Sequence, residues 1–126
     1  MASGLDGVLR NIDAPPVTEE QLLRVHPRTY LEHIREVVPE SGYTRIDPDT
    51  VVSPKSLNAA YRAAGAVVAA VDLVMNGDVD SALCGVRPPG HHAESARSMG
   101  FCPVSYTHLT LPTMRLRCRS RWWRDQ

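Results

Sequence analysis

Two adjacent histidines, His91 and His92, are the residues of this chain best suited to acid–base chemistry. They follow a Pro-Pro-Gly turn, residues 88–90, which is separated by Arg87 alone from an apolar run, residues 81–86. Because proline fixes φ and glycine adopts conformations closed to other residues, such a turn fixes the direction of the side chains that follow it in the chain. One imidazole could accept a proton from an activated water and return it to a leaving amine, while its neighbour stabilises the developing charge. The pair therefore suits metal-assisted hydrolysis.

Spacing alone leaves other roles open for this pair. An exposed loop doublet, or two metal ligands without a catalytic role, would look the same in the sequence. The three cysteines, Cys84, Cys102 and Cys118, are far apart and form no Cys-x-x-Cys motif, so they predict neither a structural zinc site nor a disulfide framework. We expect a reducing compartment.

The longer sequence around the histidines narrows the choice among these roles. It reads RPPGHHAE over residues 87–94, and a Gly-Phe-Cys motif follows at residues 100–102. Together the two motifs closely resemble the zinc-dependent deacetylases of the histone deacetylase, acetoin-utilisation and acetylpolyamine amidohydrolase family, in its class II and bacterial form. The resemblance runs from about Pro15 to Cys102. It implies an α/β arginase-deacetylase fold, with a parallel sheet flanked by helices, and hydrolysis of the acetyl group from acetylated lysine or acetylated polyamine.

The resemblance also implies roles for individual residues. His91 matches the first histidine of the family's pair, which acts electrostatically, and His92 matches the general base. Gly100 and Phe101 match the narrow tunnel that grips the acyl chain, with Phe101 as one aromatic wall. Asp49, in the Asp-Pro-Asp-Thr loop, lies near where some members place a polar rim residue, although a turn-forming role is the alternative.

The chain departs from the family pattern after Cys102. The family continues with an Asn-Asn helix and then an Asp-x-His strand that binds zinc together with a later Asp. Here residues 103–113 read PVSYTHLTLPT, without Asp or Glu. They match the translation of a sequencing-library transposon adapter, and residues 114–126 hold five arginines and both tryptophans. We therefore expect a partial deacetylase domain over residues 1–102, incomplete at its N-terminus as well, and a non-native tail over residues 103–126.

Zinc is the cofactor that the resemblance implies for full-length members, but no metal ligand is assigned in this chain. We expect the chain to bind no zinc and to be inactive alone. Two alternatives remain: a short pseudo-enzyme that binds acylated amines or a protein partner, and a basic-aromatic tail that binds nucleic acid. Nucleic acid is not expected, because no folded module adjoins the tail. A membrane partner is not expected either, because no secretory signal or run of about 20 apolar residues is evident, which favours a cytoplasmic protein.

Several elements must position the pair. Thr18 and Gln21 form a capping box that predicts a short helix, and a second, amphipathic helix is predicted from about Arg28 to Val38. A long helix, capped by Ser53 with Pro54 in its first position, should run to Asn76-Gly77 and be packed on more than one side. Residues 81–86 should form a buried parallel strand whose carboxyl end carries the histidines.

Two further histidines and one cysteine are given structural positions. Pro27 separates His26 from His33, so they do not form a helical metal pair, and surface positions are predicted for both. Cys84, inside the apolar run, should be a small buried hydrophobe.

Overall fold

The structure is a computed structural model that describes residues 8–105. Most of the predicted non-native tail, residues 106–126, lies outside the described residues. The elements, in chain order, are α1 (Glu19–Leu23), α2 (Arg28–Val37), β1 (Thr44–Arg45), β2 (Val51–Val52) and α3 (Ser56–Asn76).

Helix α1 begins with the predicted capping box. The Thr18 hydroxyl accepts a hydrogen bond from the Gln21 backbone N–H at 3.2 Å, and the Gln21 side chain accepts one from the Thr18 N–H at 2.9 Å. The two bonds satisfy amides that a helix N-terminus leaves without a partner. The helix buries Leu22 completely.

Helix α2 confirms the predicted amphipathic pattern. Its buried face consists of Tyr30, Leu31 and Ile34, while His33 on the opposite side is exposed, as predicted. The helix follows Pro27, which fits before a helix because it has no N–H to leave unsatisfied.

Helix α3 begins two residues later than the sequence predicted. Ser56 is its first residue, and neither Ser53 nor Pro54 has the predicted role. The Ser53 backbone N–H instead donates to the Ser56 hydroxyl at 2.9 Å, and the Ser53 carbonyl accepts from the Ser56 N–H at 3.0 Å. The Ser53 hydroxyl, which a cap would use, lies 3.1 Å from the Ser56 hydroxyl and does not cap the helix. The end at Gly77 is as predicted: its φ of 79° is left-handed, which favours glycine.

Strands β1 and β2 form a short antiparallel hairpin, with Thr44 opposite Val52 and Arg45 opposite Val51. One Asp47 carboxylate oxygen accepts the backbone N–H groups of Asp49 and Thr50, each at 2.8 Å, and this closes the connection. Such side-chain bonds to the backbone two and three residues on are typical of aspartate-initiated turns.

The predicted buried strand over residues 81–86 is wrong. This segment has no regular secondary structure in the described part of the chain, and Leu83 is 95% exposed. A parallel strand needs neighbouring strands for its backbone hydrogen bonds, and within residues 8–105 the sheet consists of β1 and β2 alone. Cys84 is half-buried rather than buried; burial raises the pKa of its thiol, which lies 3.6 Å from the Ala66 carbonyl.

The core lies between α1, α2 and the first half of α3. Its buried members are Val17, Leu22, Tyr30, Leu31, Ile34, Ala60, Ala64 and Val104. The segment before α1 crosses α3 at Gly65, where a Cβ would lie 2.0 Å from the Pro15 carbonyl oxygen. Residues 103–105 are also buried, so the first three residues of the predicted tail pack on this core. The boundary at residue 103 stays a prediction.

The later part of α3 is only partly covered. In the structure of residues 8–105, no residue from 66 to 76 is fully buried, so the predicted packing on more than one side is not met there. By length and composition alone α3 is long and apolar enough to cross a membrane, which was not expected of any segment from the sequence. The core helix of a soluble protein passes the same test, so this result does not identify a membrane span.

Candidate active site

The histidine pair lies in an irregular segment between two buried residues. Gly90 precedes the pair and Ala93 follows it, and both are buried, whereas His91 and His92 are exposed. The two imidazole centroids lie 4.2 Å apart, with the ring planes inclined at 54°. The structure therefore anchors the backbone on both sides and presents two neighbouring rings to solvent.

Gly100 lies directly against the ring of His92. A Cβ placed on Gly100 would lie 2.8 Å from His92 Cδ2 and 2.9 Å from Cγ, closer than real Cβ contacts allow. The φ of Gly100 is 58°, a left-handed value that also favours glycine. His92 and Gly100, which are eight positions apart and belong to different motifs, thus meet in space, and the absence of a side chain at position 100 permits the contact.

Phe101 follows in the same tight turn. Its φ is 65°, so both central residues of the turn are left-handed, as in a type I′ turn. Backbone bonds of 3.0 and 3.3 Å between Met99 and Cys102 close the turn, and the Phe101 N–H donates to the Thr50 hydroxyl at 3.2 Å. Phe101 as a whole residue is 60% exposed. The turn thus places an exposed aromatic ring beside the residue that contacts His92.

Asp49 is exposed on the neighbouring turn, and its backbone N–H donates to the Asp47 carboxylate. Asp47 is the residue that links this turn to the site: its second carboxylate oxygen accepts from the Ser98 hydroxyl at 3.1 Å. Burial raises the pKa of Asp47, but hydrogen bonds from Thr50, Asp49 and Ser98 outweigh it and hold the pKa below the ordinary value. Sequence reasoning considered Asp49 and missed Asp47, although an Asp-Pro-Asp-Thr string is a typical turn signal.

His26 is buried, so the predicted surface position is wrong. Its side chain is 1% exposed and stacks on Tyr30, with the ring centroids 5.1 Å apart. Nδ1 lies 2.6 Å from the Ser95 carbonyl oxygen, and Nε2 accepts the Ser105 N–H at 3.0 Å. The position is buried because residues 95 and 105 fold back over the corner between α1 and α2. Nothing in the local sequence signals these partners, which are 69 and 79 residues away.

Tyr30 provides a second anchor for the same segment. Its hydroxyl donates to the Pro103 carbonyl at 2.7 Å. Burial is the main cause that raises the pKa of Tyr30 to about 12, so the phenol keeps its proton and remains a donor.

A cavity of about 290 Å³ lies beside Phe101. Its walls include Thr50, Val52, Ser56, Arg87, Pro89 and Phe101. Neither histidine is among its lining residues, so the cavity adjoins the pair without containing it.

The described residues do not form a metal site of their own. Across residues 8–105, no three His, Cys, Asp or Glu side chains converge to hold a metal ion. Protein zinc sites use three or four such ligands, so zinc does not fit this part of the chain alone.

The comparisons with known proteins identify the family to which these paired motifs belong. The family described as "Histone deacetylase domain" matches residues 1–121. The chain therefore belongs to the histone deacetylase family, which confirms the resemblance stated from the sequence.

Individual relatives support this assignment. The chain is 41% identical over 100 residues to a "Histone deacetylase-like amidohydrolase" of Pseudomonas aeruginosa, covering 79% of this chain and 26% of that protein. It is 32% identical over 104 residues to the "Polyamine deacetylase HDAC10" of Danio rerio, covering 76% and 15%. The crystal structure of the HDA15 HD domain superposes with a TM-score of 0.79 at 26% identity, over 90% of this chain and 35% of that one. The chain thus spans about a quarter or less of the length of the amidohydrolase and of the polyamine deacetylase.

Proposed function

We propose that the whole protein to which this chain belongs hydrolyses acetyl-amide bonds of acetylated lysine or acetylated polyamine, and that the chain supplies its proton-handling histidines. The observation that carries the proposal is the contact between Gly100 and His92, which brings the two motifs together in space. Zinc, which the family resemblance implies, would polarise the acetyl carbonyl when bound. A cytoplasmic location and the parallel sheet of the complete fold belong to the same proposal.

The histidines have distinct roles in this proposal. His92 accepts a proton from the attacking water and returns it to the amine nitrogen as the C–N bond breaks. His91, whose ring centroid lies 4.2 Å from that of His92, stabilises the charge that develops. The supporting geometry is the exposed, adjacent placement of the rings on a segment whose backbone is buried on both sides.

The substrate contacts lie on two linked turns. Phe101 provides one wall of the acyl-chain tunnel, and Asp49 provides a polar group at its rim. The hydrogen bond from the Phe101 N–H to Thr50 connects the turn of residues 99–102 with that of residues 47–50. The Phe101 wall and the Asp49 rim would therefore keep a fixed position relative to each other when a substrate enters.

The 126-residue chain alone should not hydrolyse acetyl-lysine amides or acetylpolyamines, because its described residues do not assemble zinc ligands. The measurement is amine release from both substrates in the presence of zinc, together with the metal content of the purified chain. Stoichiometric zinc together with hydrolysis that is lost in His92→Ala would contradict this expectation.

The histidine roles are testable in a complete domain. Residues 15–102 of this chain would replace the aligned segment of the Pseudomonas aeruginosa amidohydrolase. We expect the chimera to hydrolyse acetyl-lysine amide, and His92→Ala to reduce kcat roughly 10²- to 10⁴-fold, the usual contribution of a general base. His33→Ala, an exposed histidine on α2, is the matched control and should leave kcat unchanged. A folded, zinc-loaded chimera whose kcat is equal with and without His92 would refute the assignment.

A further inference from the structure

We propose that His26 is a positioning residue for the histidine pair, acting as a buried clamp between two backbone segments that flank the site. Nothing in the proposed chemistry uses this imidazole, yet it is among the most buried polar side chains of the described residues. The proposal deepens the proposed function, because it concerns the geometry of the same pair. Its test reads that geometry directly and does not depend on activity.

The two hydrogen bonds define the state of the His26 ring. The Ser95 carbonyl can only accept, so Nδ1 carries the proton; the Ser105 N–H can only donate, so Nε2 is unprotonated. The ring is therefore neutral and held as the Nδ1–H tautomer by two backbone partners. Neutral histidine carries one N–H donor and one nitrogen acceptor on a rigid ring, so it can bond to both backbone groups at once.

The partners of His26 bracket the site in sequence. Ser95 lies three residues after His92, and Ser105 lies three residues after Cys102. Between them are the turn that carries Gly100 and the Phe101 wall. A single buried ring thus holds both ends of the segment that packs against the His92 imidazole.

The clamp has a rigid base. The His26 N–H donates to the Leu22 carbonyl at 2.8 Å at the end of α1, and the ring stacks on Tyr30 in the first turn of α2. The Tyr30 hydroxyl also bonds the Pro103 carbonyl, so two side chains of the α1–α2 corner hold the same segment.

The connection from Ser95 back to the pair is short. Ala93 is buried, and the Glu94 N–H donates to the Arg97 carbonyl at 2.9 Å, which closes a turn around Ser95. With only Ala93 and Glu94 between them, a displacement of Ser95 moves His92 as well.

Three substitutions in the full 126-residue chain separate the two bonds. His26→Asn keeps a donor near the Nδ1 position and loses the acceptor for Ser105. His26→Gln places an amide oxygen near the Nε2 position and loses the donor to Ser95. His26→Phe loses both bonds but keeps an aromatic ring for stacking on Tyr30.

The measurement is NMR of the imidazole signals of His91 and His92, with the amide signals of α2 and α3 as a check that the fold persists. We expect His26→Phe to shift the signals of the pair most, His26→Gln to shift them less, and His26→Asn to shift them least, because Ser95 is closer in the chain to His92 than Ser105 is. His33→Asn is the matched control, because His33 is exposed on α2 and should shift neither ring. A structural role alone would not distinguish Asn from Gln.

Two results would overturn the proposal. One is unshifted His91 and His92 signals in a folded His26→Phe chain, or equal shifts in the Asn and Phe variants. The other is available in the wild-type chain even if no variant folds: ¹⁵N spectra that show the proton of His26 on Nε2 rather than Nδ1 would exclude the clamp. The NMR signals do not depend on catalysis. A failed acetyl-amide assay would therefore contradict the proposed function without contradicting the clamp.

Discussion

Gly100→Ala is the substitution that most directly tests the contact between the two motifs. The new methyl group would lie 2.8–3.0 Å from three atoms of the His92 side chain. The backbone would also have to hold alanine at a φ of 58°. Both effects destabilise the described fold, but only the first involves His92, so the two can be separated by a suitable control.

The magnitude follows from the two effects. Left-handed backbone costs a residue with a Cβ about 1–2 kcal/mol. Pushing the His92 ring away from a staggered rotamer by about 30° costs a further 0.5–1.5 kcal/mol or so. We therefore expect Gly100→Ala to lower the free energy of unfolding by about 1.5–3.5 kcal/mol.

Gly77→Ala is the matched control. Gly77 has a φ of 79°, and a Cβ there would meet nothing within 4 Å, so its cost is the backbone effect alone. The assay is urea unfolding of both variants and of the double variant His92→Ala/Gly100→Ala, with the His92 imidazole signals recorded by NMR. Compared with His92→Ala alone, the double variant should show most of the excess cost of about 0.5–1.5 kcal/mol removed, because the ring is gone and only the His92 Cβ, at 3.0 Å, remains close to the new methyl group. A Gly100→Ala chain that is no less stable than Gly77→Ala, with unshifted His92 signals, would refute the described contact.

Two further predictions concern the scaffold around the site. Gly65→Ala should lower the free energy of unfolding although alanine is the better helix former, because its Cβ would lie 2.0 Å from the Pro15 carbonyl oxygen; urea unfolding checks this, and Gly85→Ala, in open space, should have little effect. The lowered pKa of Asp47 should make its hydrogen bonds stabilise the described turn above the ordinary carboxyl pKa, with this contribution lost as the pH falls through the lowered value. The Ser98 amide signal should report that transition, Asp47→Asn should abolish it, and an acid transition that persists in Asp47→Asn would contradict the assignment.

Local signals account for what the sequence predicted correctly in the fold. The capping box at Thr18, the apolar face of α2 and the Asn-Gly end of α3 each depend on residues within a few positions of one another. The strand predicted over residues 81–86 was wrong because apolar composition does not reveal whether partner strands are present. The cap predicted at Ser53 is absent because the Ser53 N–H and hydroxyl are both within hydrogen-bond distance of the Ser56 hydroxyl.

The site was predictable only in part. Motif resemblance indicated His91, His92, Gly100 and Phe101 as one group, and the structure adds the physical contact between Gly100 and His92. The buried position of His26 had no sequence signal, since its hydrogen-bond partners are 69 and 79 residues away. Such partners are visible only once the chain has folded back on itself.

That separation has a consequence for how the site forms during folding. Helices α1, α2 and α3 are local structures, and short loops suffice to bring their neighbours together. The bonds from His26 to Ser95 and Ser105 instead close loops that contain most of the described chain, so their entropic cost comes before their stabilising contacts. During synthesis, residues 91 and 92 would leave the ribosome before the residue that completes their support at position 105. The pair would therefore acquire its fixed orientation late, after the helices on which it depends.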